Sequence, residues 1–134
     1  MLIYMVIHLC IMVKIMIVDD NTDMRYTIKE CLSSNENYEF VEASSGDECL
    51  EMISSTNPDL ILMDVMMPGT DGIATAMLIR SNKDYKNVKI IFLSAKTDSL
   101  TRGMAAVNGD DFIEKPFNAD DLNNRILDKL KTGN

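Results

Sequence analysis

A regular alternation of short apolar segments with segments of helical character runs through this 134-residue chain from Lys14 onward. An apolar segment followed by a segment of helical character occurs five times. Such repetition is typical of a parallel sheet, because each strand must return to the same end of the sheet through a crossover helix. The length suits a single domain. We therefore expect an α/β fold, in which a doubly wound, five-stranded parallel sheet carries five helices on its two faces.

The predicted strands are apolar or β-branched and are bounded by Asn, Asp, Gly, Pro or Ser. They lie near residues 14–18, 39–43, 60–63, 89–93 and 112–113. The predicted helices lie at residues 23–33, 46–55, 72–80, 99–107 and 119–130. The last helix carries Leu122, Ile126 and Leu130 on one face, which predicts that it packs on the sheet.

Residues 1–12 form an apolar extension before the first predicted strand. The extension is shorter than the roughly 20 apolar residues of a membrane-spanning helix, and it lacks the basic start and cleavage site of a secretory signal. Three interpretations stay open: an extra strand or helix, an oligomerisation segment, or residues upstream of a true start at Met12. We expect the domain at residues 13–131, a short polar tail at 132–134, and no attached output domain.

The composition argues against several classes of function. A formal net charge of −8 provides no basic surface for nucleic acid. The three cysteines, Cys10, Cys31 and Cys49, show neither CxxC nor Cys/His spacing, so we expect reduced core thiols rather than disulfides or a zinc site. These features predict a cytoplasmic protein with no membrane span and no nucleic-acid partner.

Acidic residues directly follow two of the predicted strands. Asp19 and Asp20 come after the segment IMIV, and Asp64 comes after LILM. Ligands of open parallel sheets bind beyond the carboxyl ends of the strands, which is where these acids fall. Carboxylates about 4 Å apart repel by roughly 1 kcal/mol in water and roughly 4 kcal/mol at an effective dielectric constant of about 20. Mg²⁺ with its preference for oxygen ligands would offset that repulsion, and helix capping by Asp20 or Asn21 is the alternative.

Two further polar side chains follow strands at the same edge. Ser94 comes after the segment IIFL, and its hydroxyl can donate to a phosphoryl oxygen, although serine is also a common turn former. Lys115 follows the fifth strand, where its charge can offset carboxylates and a transferred phosphoryl group; a solvated surface lysine is the alternative. Pro116 restricts Lys115 to an extended backbone and permits a cis bond.

Together these motifs resemble the receiver domain of two-component response regulators, from about residue 13 to residue 130. The segments that carry the resemblance are VDDN at 18–21, LILMDVMMPGTDG at 60–72, LSA at 93–95 and DDFIEKPF at 110–117. The spacings between their polar residues agree with the family as well. The resemblance implies a flavodoxin-like sheet with strand order 2-1-3-4-5, similar to the single-domain chemotaxis regulators.

The resemblance also implies a phosphorylation-dependent signalling switch. Asp64 would take a phosphoryl group from a sensor histidine kinase or a histidine phosphotransferase, and Lys115 would pair with that group. The resemblance implies that Asp20, Asp64 and the backbone carbonyl of Met66 would bind Mg²⁺ directly and that Asp19 would contribute through water.

The implied switch involves Ser94 and Phe112. Ser94 would move to donate a hydrogen bond to the phosphoryl group, and Phe112 would turn into the vacated space. The output face for a downstream protein would comprise the fourth helix, the fifth strand and the fifth helix, and homodimerisation is left open.

Three other functions compete with this one. A phosphatase of the haloacid dehalogenase type normally has a second acid two residues after its nucleophile, where this chain has Met66. A receiver-like module that accepts no phosphate is disfavoured, because all five polar groups are present. A regulator and a phosphorelay intermediate fit equally well. We expect no enzyme in the ordinary sense, although the domain would catalyse its own Mg²⁺-dependent phosphorylation and dephosphorylation.

Overall fold

A five-stranded parallel sheet lies at the centre of the structure, a computed structural model that describes residues 12–95 and 97–131. The strands are β1 (Val13–Val18), β2 (Tyr38–Ala43), β3 (Leu60–Asp64), β4 (Lys89–Ser94) and β5 (Asp111–Glu114). They pair in the order β2-β1-β3-β4-β5, and every pair is parallel. The predicted α/β fold and the implied strand order are both confirmed.

Five α-helices connect and follow the strands. They are α1 (Thr22–Leu32), α2 (Gly46–Thr56), α3 (Gly72–Arg80), α4 (Ser99–Asn108) and α5 (Ala119–Lys131). Every predicted boundary lies within one residue of the observed one, and a short 3₁₀-helix at Lys83–Tyr85 was not predicted. Asn21 caps α1, because its side chain accepts a hydrogen bond from the Met24 N–H at 3.0 Å. Asp20 is therefore not the cap of this helix.

The side chains of the strands alternate between two apolar layers. In β1, Ile15 and Ile17 pack against the layer that contains α1 and α5. Met16 and Val18 belong to the other layer, which contains residues of α2, α3 and α4. Both layers are tightly buried, so the sheet is covered on both faces as a parallel sheet requires.

Several sequence predictions concern residues outside the described part of the chain. The extension before Met12, its Cys10 and the tail at 132–134 lie there. Within the described part, Cys31 and Cys49 are free thiols, as expected, and burial raises the pKa of Cys49 to about 12. Among the described residues, no helix is long and apolar enough to cross a membrane.

Gly72 allows α3 to begin directly against the end of β3. Its N–H donates to the Val65 carbonyl at 2.9 Å, and a Cβ at this position would overlap the carbonyl oxygen of Asp64. Gly103, in the middle of α4, has open space where its Cβ would stand. A side chain at position 72 would therefore displace its neighbours, whereas position 103 has room for one.

We expect Gly72→Ala to destabilise the fold by about 3 kcal/mol, because the added methyl group must displace the backbone of β3. Gly103→Ala should instead stabilise it by about 0.5–1 kcal/mol, since alanine restricts the unfolded chain and favours the helix. Chemical denaturation of both variants measures the difference. Equal stability of the two variants would contradict the close approach at Gly72.

An ionic network joins α1 to β2. Glu42 accepts hydrogen bonds from Lys29 Nζ at 2.8 Å and from Arg25 Nε at 2.9 Å. Lys29 is the largest cause of a lowered pKa at Glu42, and Arg25 adds to it, while partial burial opposes both. A carboxyl group with a lowered pKa stabilises the fold at neutral pH and loses this contribution as the pH falls through its folded-state pKa.

We expect Glu42→Gln to reduce the free energy of unfolding by about 1 kcal/mol at neutral pH, a modest value because the three side chains are partly exposed to screening solvent. The difference from wild type should shrink below about pH 4, where the unfolded carboxyl also becomes protonated. Denaturation curves at several pH values test this. Glu39→Gln on the same strand is the control, because Glu39 is more exposed and its ion pair with Lys14 is longer, at 3.4 Å.

Candidate functional site

Three carboxylates converge at the carboxyl edge of the sheet. One oxygen each from Asp19, Asp20 and Asp64 lies within 4.8 Å of the others. Asp64 ends β3, and the other two follow the neighbouring strand β1, so strand pairing brings them together. Asp19 and Asp64 are buried, with 2% and 7% of their surface exposed, whereas Asp20 is exposed. The cluster therefore has a buried floor and an open side.

Lys115 links the two buried acids. Its Nζ lies 3.1 Å from Asp19 Oδ2 and 3.3 Å from Asp64 Oδ1. Its backbone N–H donates to the Ser94 carbonyl at 2.9 Å, which fixes the end of β5 against β4. The bond between Lys115 and Pro116 is cis. The lysine charge is thus held over the carboxylates by both its side chain and its backbone.

The charge balance of the cluster is negative. Burial raises the pKa of Asp64, the Lys115 charge lowers it, and the neighbouring Asp19 raises it again. The Met66 N–H also donates to the Asp64 carboxylate and favours its ionised form. Three carboxylates face one ammonium group in this cluster, which makes it chemically suited to a divalent cation with oxygen ligands.

Ser94 and Phe112 lie on the other side of the sheet from Asp64. Asp64 shares its strand face with Leu60 and Leu62, in the layer of α1 and α5. Ser94 is fully buried and shares the face of Phe92, against which the half-buried Phe112 also packs. Ser94 and Phe112 are therefore on the side of the sheet that α4 covers.

The side chain of Met66, two residues after Asp64, is exposed. It lines a shallow pocket with Val65, Pro68 and Asp71. The part of Met66 in contact with the acids is its backbone, whose N–H bonds Asp64. Its carbonyl as a metal ligand stays a prediction.

Two arginines of the site were missed by the sequence analysis. Arg25 Nη1 donates to the Asp19 carbonyl at 2.6 Å while Arg25 Nε holds Glu42, so Arg25 fixes the loop that carries the acids. Its position offered a signal, because a cation near the N-terminus of a helix opposes the helix dipole and implies a specific partner. The Arg102 guanidinium lies 4.8 Å from the centre of the Phe112 ring, and nothing in the local sequence indicates this contact.

Comparisons with known proteins agree with this geometry. A family model described as "Response regulator receiver domain" matches residues 15–127. The transcriptional regulatory protein ResD of Bacillus subtilis (strain 168) is 40% identical over 88% of this chain and 48% of its own length. Protein PilG of Pseudomonas aeruginosa is 33% identical over 81% of both chains. This chain spans about half the length of ResD and less of the sensor kinases that it matches.

Solved structures have the same architecture. The response regulator TrrA from Thermotoga maritima, in complex with Mg(2+)-BeF, is 35% identical with a TM-score of 0.79, over 88% of this chain and 99% of that one. Receiver domains bind Mg²⁺ at an acidic pocket and interact with histidine kinases. From the family match, the strand order and the acidic cluster at the sheet edge, we conclude that the chain belongs to the response regulator receiver domains, which are phosphorylation-dependent switches of two-component signalling.

Proposed function

We propose that Asp64 is the phosphoryl acceptor of this receiver domain. The observation that carries the proposal is the position of its buried carboxylate, 3.3 Å from Lys115 and beside Asp19. One Asp64 oxygen would attack the phosphorus of a phosphohistidine or a small phosphodonor. The bond from phosphorus to the donor breaks, the donor leaves with its electron pair, and an acyl phosphate remains on Asp64.

Mg²⁺ is the cofactor that suits the acidic cluster. Asp19, Asp20 and Asp64 would hold it, with the carbonyl of Met66 as a further ligand. The support is the set of three carboxylate oxygens within 4.8 Å, which one lysine does not neutralise. When bound, Mg²⁺ supplies positive charge to the phosphoryl oxygens in the transfer.

Lys115 within the cluster and Ser94 at the end of the neighbouring strand β4 would stabilise the transferred group. Lys115 lies between Asp19 and Asp64, so its ammonium group is already where phosphoryl oxygens would arrive. The Ser94 hydroxyl would donate a hydrogen bond to the phosphoryl group, and Phe112 on the same side of the sheet would turn inward. The signal would leave through the face formed by α4, β5 and α5.

The proposal also includes the partners of the domain, its bounds and its location in the cell. The phosphoryl group would come from a sensor histidine kinase or a histidine phosphotransferase, and a downstream protein would read the switch. Both a regulator and a phosphorelay intermediate remain compatible, since the relatives include regulators and receiver domains of sensor kinases. We place the domain at residues 13–131 and the protein in the cytoplasm, where receiver domains typically act. Self-catalysed phosphorylation and dephosphorylation would be its only chemistry.

We expect the wild-type chain, incubated with Mg²⁺ and acetyl phosphate, to gain the mass of one phosphoryl group, and Asp64→Asn to gain none because an amide oxygen is a poor nucleophile. Intact-mass spectrometry measures both. Asp128→Asn is the matched control, because Asp128 is an exposed acid of α5 and should not affect labelling. An Asp64→Asn variant that is labelled as fully as wild type would place the acceptor elsewhere.

We expect Lys115→Ala to bind Mg²⁺ at least as tightly as wild type, because the three carboxylates remain and a competing charge is removed. The variant should nevertheless fail to switch: beryllofluoride should shift the NMR signals of Ser94 and Phe112 in wild type but not in the variant. Lys86→Ala, an exposed lysine far from the acids, should behave as wild type. If beryllofluoride shifted these signals equally in Lys115→Ala, Lys115 would not have the role in switching that we propose for it.

A further inference from the structure

The side chain of Arg25 connects the acidic cluster to the edge strand β2. Its Nη1 donates to the Asp19 carbonyl at 2.6 Å, and its Nε donates to Glu42 on β2 at 2.9 Å. The Arg25 side chain is only 14% exposed, so these bonds are largely shielded from water. Arginine suits this position, because its planar group presents several donors in a rigid arrangement. The Asp19 carbonyl is therefore held by a side chain that is itself anchored to the sheet.

The carbonyl that Arg25 holds belongs to the peptide bond between Asp19 and Asp20. This peptide bond is trans, since the only cis bond within the described residues joins Lys115 to Pro116. In a trans peptide the carbonyl and the following N–H point in opposite directions within one plane. The hydrogen bond from Arg25 therefore fixes the orientation of the peptide plane that leads into Asp20.

The three acids of the cluster differ in what holds their carboxylates. Asp19 accepts hydrogen bonds from Lys115 and from the Asn21 N–H at 2.9 Å. Asp64 accepts one from Lys115 as well. In the part of the chain that the structure describes, no group forms a hydrogen bond or an ion pair with the exposed Asp20 carboxylate. The place of Asp20 in the cluster therefore depends on its backbone.

We propose that Arg25 is a positioning residue that holds the Asp20 carboxylate, through the peptide bond between Asp19 and Asp20, where it can bind a divalent cation. The inference rests on the Mg²⁺ site proposed above and adds to it a residue that acts only through the ligand it orients. Loss of a group that orients a metal ligand typically weakens metal binding by about 10–100-fold. Arg25 would thus set the affinity of the site through geometry.

Electrostatics alone predicts the opposite effect of removing Arg25. The guanidinium group is positive and lies beside the acids, so its charge repels a cation that they bind. Removal of that charge without a change in geometry would tighten Mg²⁺ binding, as we expect for Lys115→Ala. Weaker binding in Arg25→Ala would therefore indicate positioning, because the loss of the charge does not produce it.

The first test is an NMR titration of the full chain with MgCl₂, in which the amide shifts give the dissociation constant. We expect Arg25→Ala to bind Mg²⁺ about tenfold more weakly than wild type. Arg25→Lys keeps the charge but loses the planar group with its several donors, so it should not restore the affinity. Lys29→Ala is the matched control, because it removes the other positive charge from Glu42 and leaves the bond to the Asp19 carbonyl in place. Its affinity should equal that of wild type.

A second measurement uses the metal-free chain. We expect the backbone amide signal of Asp20 to shift and broaden in Arg25→Ala, because the peptide plane before it is no longer held. The same signal should stay unchanged in Lys29→Ala. The amide of Leu62, which is buried in the core, should be unaffected in both variants and reports that the fold is intact.

Three outcomes would overturn the proposal. If wild type binds Mg²⁺ and Arg25→Ala binds it as tightly or more tightly, Arg25 does not position Asp20, while the Mg²⁺ site stands. An unchanged Asp20 signal in metal-free Arg25→Ala leads to the same conclusion. If wild type itself binds no Mg²⁺, the proposed site is wrong and this inference fails with it. Should Arg25→Ala lose its fold, Arg25→Lys is judged by the same criteria.

Discussion

The ionic contact of Lys115 with Asp19 and Asp64 joins the ends of three strands that do not all touch one another. It bridges the segment after β5 to the end of β3 and to the segment after β1, while β4 separates β5 from β3. Two buried carboxylates repel unless a cation lies between them. The ammonium group of Lys115 therefore offsets part of the repulsion between the two buried acids and ties β5 to the ends of β1 and β3.

The local sequence pattern was sufficient to predict the elements. Strand and helix boundaries depend on apolar periodicity and on residues such as Asn21 and Gly72 that begin helices, and these signals are local. The strand order was not available from that pattern, because periodicity does not say which strands are neighbours. It came from the resemblance to receiver domains, and so did the partnership of acids that are far apart in the chain.

The contacts that could not be predicted are those between distant side chains. Arg25 bonds the Asp19 loop and Arg102 covers Phe112, and each requires knowledge of how a helix is oriented on the sheet. The 3₁₀-helix at Lys83–Tyr85 was missed for another reason. Its capping residue Asn82 lies in a polar stretch whose composition is equally typical of an open loop. Arg80 likewise donates hydrogen bonds to the carbonyls of Val88 and Asn108. The local sequence does not show that these residues lie beside it.

Asp64 and Ser94 end neighbouring strands but lie on opposite faces of the sheet. A phosphoryl group on Asp64, as proposed, would lie at the face of α1 and α5, whereas the side chains proposed to respond to it lie at the face of α4. The proposed response would therefore take place at the end of β4, where Ser94 is fully buried, and at the half-buried Phe112 beside it. A substitution in β4 near Ser94 would then affect both the packing of the core and the proposed switch, because the same strand end contributes to both.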